Sequence, residues 1–91
     1  MAIDIDKQIK YWQDGALESL KSAKILIEKG RNADGLFFCH LAMEKALKAH
    51  VAKKTSETPP KTHNLVRLFE LSHITADDAF INFLGELMGF Q

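Results

Sequence analysis

The chain is short of most of the residues that specialised architectures require. Its one cysteine, Cys39, excludes an intramolecular disulfide and suits a reducing compartment. It has no charge excess: 12 Lys and Arg against 12 Asp and Glu leave a formal net charge of zero, so attraction to nucleic acid has to come from a local patch. No apolar run reaches the roughly 20 residues needed to cross a bilayer. The N-terminus, MAIDIDKQIK, lacks the basic start and apolar core of a signal peptide. Together these absences point to a cytoplasmic protein. The two prolines are adjacent, Pro59-Pro60, and the five glycines act as punctuation, which leaves few places where a helix has to stop.

What is present is ordinary in amount and informative in pattern. With 91 residues, 46% hydrophobic and 26% charged, residues 1–91 make one globular domain. A chain of this size buries only about 60–65% of its unfolded surface, so a partner that covers more would stabilise it. The organising stretch is LFFCHLAMEKALKAHVAKK, Leu36 to Lys54. At helical spacing, Leu36, His40, Met43, Leu47 and His50 form one stripe, and Phe37, Leu41, Glu44 and Val51 form its neighbour. Lys45 and Lys48 are expected on the solvent side, and Lys53 and Lys54 suit the negative end of the helix.

Before that stretch, Asp4 or Asp6 is positioned to cap a first helix, in which Ile9, Trp12, Ala16, Leu20, Ala23 and Ile27 recur as an apolar stripe. Gly15 inside it weakens the helix and suggests that another helix passes close. Gly30 supplies a left-handed stop, and Asn32 is the expected cap of the return helix. After it, TSETPPKT has no apolar period and reads as a loop. Thr62 is the expected cap of a short third helix with Leu65, Leu68, Phe69 and Leu71 on its buried side. Thr75 with Asp78 resembles a capping box for a fourth helix carrying Phe80, Phe83, Leu84, Leu87 and Met88. The expected fold is therefore all-α, an antiparallel up-and-down bundle of four main helices. The apolar stop at Leu87-Met88-Gly89-Phe90-Gln91 reads as a chain cut before a further helix or tail.

The chemistry-bearing residues are sparse. His40 and His50 lie about 15 Å apart along one helix, and no HxxxH or HExxH pair exists, so no metal or other cofactor is expected. His40, Met43 and His50 fit a subunit contact instead. No nucleophile–base set and no phosphate-binding glycine loop is present. Charge is segregated: Lys45, Lys48, Lys53, Lys54, Lys61 and Arg67 face only Glu57 in the middle of the chain, while Glu70, Asp77, Asp78 and Glu86 follow. Lys61-Thr62-His63-Asn64 gathers a cation, a hydroxyl and an imidazole at a helix start, which suits a phosphate. Lys45 and Lys48 would extend that patch. Arg67 and His73 are six positions apart, too far round a continuous helix to meet unless it ends near Ser72.

Tyr11-Trp12, the Gly30 turn, FFCHLAMEKALKAHV and PPKTHNLVRLFEL together resemble the HEPN family of small helical domains over nearly the whole chain. The resemblance implies a helical bundle, usually a homodimer and often the partner of a minimal nucleotidyltransferase in a two-component, toxin–antitoxin-like system. It also implies nucleotide or RNA binding in some members and metal-independent endoribonuclease activity in others. The ribonuclease members carry an arginine, four to six residues and a histidine in the C-terminal helical region. Here Arg67 to His73 fits that count but follows PPKTH directly, and no Arg or His comes later, so the catalytic role is not carried over. Many relatives have two glutamines where this chain has His40-Leu41. The expectation is a partner module rather than an enzyme, with Arg67 and His73 as the alternative.

Overall fold

The computed structural model describes residues 4–74, which fold as three helices: α1, Ile5–Glu28; α2, Asn32–Thr55; and α3, Leu65–Ser72. α1 and α2 are antiparallel arms of 24 residues each, about 36 Å long at the rise of an α-helix. The described residues are helix, turn and loop, as an all-α chain requires. The fourth helix expected from Thr75 onward lies outside the described residues.

Asp4 caps α1, its carboxylate accepting from the amide of Lys7 at 3.1 Å. The arm ends in a Schellman turn: Gly30, at φ +79°, donates its amide to the Ile27 carbonyl at 3.0 Å, and Arg31 donates to Leu26 at 2.8 Å. The expected cap of α2 is corrected. Asn32 is the first helical residue, and Arg31 is the N-cap without a side-chain hydrogen bond to the helix backbone. The Arg31 guanidinium instead grips Asp34 through Nε at 3.1 Å and Nη2 at 2.6 Å, placing a carboxylate in the positive first turn.

The seam between the arms is made of small residues. Gly15, Ser19 and Ala23 recur every four positions along α1, and Ser19 and Ala23 are its buried residues. Larger side chains there would hold the arms apart. This corrects the apolar stripe at Leu20, which is 54% exposed on the flank of the seam; Ile27 is 44% exposed although it packs across the seam on Gly35. A close approach does occur at Gly15, where an added Cβ would lie 3.1 Å from Cδ of Lys45. The tighter point is Gly35 on α2, where a Cβ would fall 2.5 Å from Cγ1 of Ile27.

The apolar core lies on the other side of α2. Leu47 and Val51 pack with Leu65, Leu68 and Phe69 of α3, and Met43, Val66 and Leu71 fill the edge. Asn64, not Thr62, caps α3 by accepting from the Arg67 amide at 3.0 Å. Thr62 acts one step earlier, its hydroxyl accepting from the Asn64 amide at 3.1 Å. α3 stops where His73 turns left-handed at φ +59°.

Candidate functional site

α2 carries His40, Glu44 and Lys48 at successive four-residue steps, which puts them in one row on one face of the helix. All three are buried. Glu44 is the hub. Lys48 Nζ lies 3.4 Å from its Oε2, His40 Nε2 lies 4.0 Å from its Oε1, and His63 reaches the same Oε1 with Nδ1 at 2.8 Å. Lys48 also stands over the Trp12 ring of α1, 4.9 Å from its centroid. The buried carboxylate is thus compensated by a buried ammonium, which itself lies on an aromatic face. A buried pair of this kind gives little net stability but becomes costly when one partner is removed.

His63 belongs to the loop between α2 and α3, and from there it reaches back to Glu44. Its imidazole is 72% exposed while the Glu44 side chain is 4% exposed, so the ring bridges solvent and interior. With Nδ1 fixed on the carboxylate, the opposite edge of the ring, carrying Nε2, faces outward. Thr62 and Asn64 fix the backbone on either side of this histidine through their own hydrogen bonds.

The expected site residues divide accordingly. Lys61 and His63 are exposed and Thr62 is half-buried. Lys48 does not lie on the solvent side; it is drawn inward by Glu44 and Trp12, which corrects its assignment to a basic surface. Lys45 is half-buried and donates to Ser19 Oγ at 3.0 Å across the seam between the arms. His40, at 1% exposure, presents no surface to another chain, whereas His50 is exposed and Met43 is half-buried against the core. Arg67 is exposed, with Nη1 3.7 Å from Glu70 Oε2, and His73 is the left-handed cap of α3. Cys39 is half-buried rather than fully buried. Among the described residues, no group of three or more His, Cys, Asp or Glu is arranged to hold a metal, and no helix is long and apolar enough to cross a membrane.

Glu44 is the residue that sequence reasoning missed as a centre. The signal was available: an acid inside an apolar stripe, with His40 four residues before it and Lys48 four residues after it.

On the flank of the hairpin opposite the Trp12 side, a groove with two separate cavities follows the seam. One, of about 420 Å³, is lined by Ile9, Ala16 and Leu17 of α1 and by Ala46, Ala49 and His50 of α2, with Gln13, Asp14 and Lys53 among them. The other is bordered by Leu20, Ala23, Ile27 and Cys39, with Lys24 and Glu28.

A two-armed helical hairpin with a short third helix packed on its second arm, and a buried ionic row beneath the connecting loop, defines an all-helical hairpin domain. The family model of the HEPN domain matches residues 9–88, and the chain belongs to the HEPN family. No curated protein and no solved structure matches the chain.

Proposed function

We propose that this HEPN domain is a homodimeric partner module of a minimal nucleotidyltransferase in a two-component, toxin–antitoxin-like system, and that it receives nucleotide or RNA phosphate at Lys61, Thr62 and His63. The observation that carries the reading is the apolar groove along the hairpin. Leu17, Leu20 and Ile27 are large, exposed and on one flank, beside Ala46 of α2. A strip of exposed apolar side chains on so small a domain marks an association surface. A second copy suits it, because a self-complementary strip closes as a twofold pair without requiring a second kind of surface. His50 borders the strip, whereas Met43, two helical turns before it on α2, packs against the α3 core.

The phosphate part rests on the exposed cation of Lys61 next to a solvent-facing imidazole. Lys45 and Lys48 add to it only as charges behind the surface. Nothing in the arrangement of Arg67 and His73 favours hydrolysis: the first pairs with Glu70 and the second closes a helix.

Sedimentation at tens of micromolar is expected to give a dimer, and the dimer is expected to bind a minimal nucleotidyltransferase from the same operon. A strict monomer would overturn the assembly. Cleavage of structured or single-stranded RNA, abolished by His73→Ala, would replace the partner reading with an enzymatic one.

A further inference from the structure

We propose that Glu44 is the positioning residue of the phosphate contact: its buried carboxylate holds Nδ1 of His63, so that Nε2 is the ring nitrogen turned to solvent to meet a phosphoryl oxygen. This rests on the phosphate reading given above and adds to it the group that prepares the contact. The geometry has three parts. The Nδ1 to Oε1 distance is 2.8 Å, short enough for a strong hydrogen bond to a carboxylate. Glu44 is itself fixed, because Lys48 holds its other oxygen and His40 flanks the one that His63 uses. The imidazole above it is mostly in water, so a ligand can reach the free edge of the ring without displacing the core.

A histidine on a surface loop ordinarily samples several rotamers and both tautomers, and a ligand must pay for choosing one. Anchoring at Nδ1 removes that choice before the ligand arrives. When the ring is protonated, both nitrogens donate: Nδ1–H to Glu44 and Nε2–H to the phosphoryl oxygen. The buried carboxylate then compensates the imidazolium charge from below, while Lys61, two residues earlier in the chain, adds positive charge at the surface. Lys48 has a separate task. It holds Glu44 in place when no ligand is present, so the anchor is built into the resting fold.

The test separates the two nitrogens of His63. His63→Asn places an amide where Nδ1 stood and removes Nε2, so it retains the hydrogen bond to Glu44 and deletes the outward donor. The variant is expected to unfold within about 2 °C of the parent. It is also expected to bind ATP roughly tenfold or more weakly, the loss of one charge-assisted hydrogen bond. Because Glu44→Ala alone leaves Lys48 stranded, Glu44 is tested in the paired variant Glu44→Met with Lys48→Met, which removes both buried charges together. It should weaken ATP binding by a similar factor, and adding His63→Asn to it should weaken binding no further. Long-range nitrogen–proton spectra should show Nδ1 of His63 protonated in the parent and that preference lost in the paired variant.

Saturable ATP binding that His63→Asn leaves unchanged would overturn the role of Nε2. Additive losses from the paired variant and His63→Asn would overturn the positioning role of Glu44. No saturable binding by the parent would overturn the phosphate reading itself, and the nitrogen spectra would then still decide whether Glu44 orients the ring.

Discussion

Nδ1 of His63 and Oε1 of Glu44 meet at 2.8 Å across 19 residues of chain, which ties the α2–α3 loop to the middle of α2. The contact is one side of a buried ionic row, so its members are not independent. Glu44→Ala leaves the ammonium of Lys48 buried without a counter-ion, and loss of one member of such a pair costs about 3–5 kcal/mol. Replacing both with methionine removes the charges but keeps the volume, and should return to within about 1–2 kcal/mol of the parent. Urea unfolding measures both. A Glu44→Ala cost below about 1 kcal/mol would mean that the row is solvated in the folded protein.

Two glycines in the long arms should respond in opposite directions to the same substitution. At Gly15 a new Cβ meets the flexible end of Lys45 at 3.1 Å, which can move aside. The helix propensity gained should then leave Gly15→Ala neutral or more stable by up to about 1 kcal/mol. At Gly35 the new atom meets Cγ1 of Ile27 at 2.5 Å with the Ala23 carbonyl 3.3 Å away, so side-chain adjustment alone does not clear it. Gly35→Ala should lose about 1–2 kcal/mol despite the better helix former. Thermal unfolding of the pair reads the difference directly, and equal behaviour would contradict the close seam.

The start of α3 offers a contrast between neighbours. Asn64 accepts the amide of Arg67, one of the helix's otherwise unpaired donors, whereas Thr62 accepts an amide that precedes the helix. Asn64→Ala should cost about 1 kcal/mol and Thr62→Ala roughly half that or less. If Thr62→Ala proves the more damaging, the helix starts earlier in solution.

The helices and the α2–α3 core were legible in the sequence because they rest on local signals. Asp4, Gly30 and the Pro59-Pro60 break mark ends by their own backbone and side-chain chemistry, and Leu65, Leu68 and Phe69 stand out at helical spacing. The caps at Asn32 and Thr62 were misplaced by one and two residues: Thr62 and Asn64 can both accept an amide and only the backbone decides between them, whereas Arg31 has no acceptor and caps α2 by its backbone alone, which no side-chain signal marks. The seam was misread for a different reason. Leu20 is more hydrophobic than Ser19 and Ala23, but close helix packing selects size rather than apolarity. The Glu44 site was the least legible: charge is expected in water, and only the meeting of Trp12, Lys48 and His63 makes an interior position tolerable for it.

That exposed flank makes the last prediction. Leu20 is 54% exposed in the single chain, so exchanging it for lysine removes little that holds the protomer together, and surface changes of this kind move stability by about 0.5 kcal/mol or less. In a twofold dimer closed along the groove each substitution occurs twice, and placing two unpaired cations in an apolar contact should cost about 2–4 kcal/mol of association, or roughly 30- to 1,000-fold in the dimer dissociation constant. Tyr11→Lys is the control, since Tyr11 is as exposed but lines the groove on the Trp12 side of the hairpin. Sedimentation equilibrium should show Leu20→Lys shifted to monomer and Tyr11→Lys still dimeric, with both unfolding at temperatures close to the parent. A dimer indifferent to Leu20→Lys and broken by Tyr11→Lys would move the interface to the opposite flank.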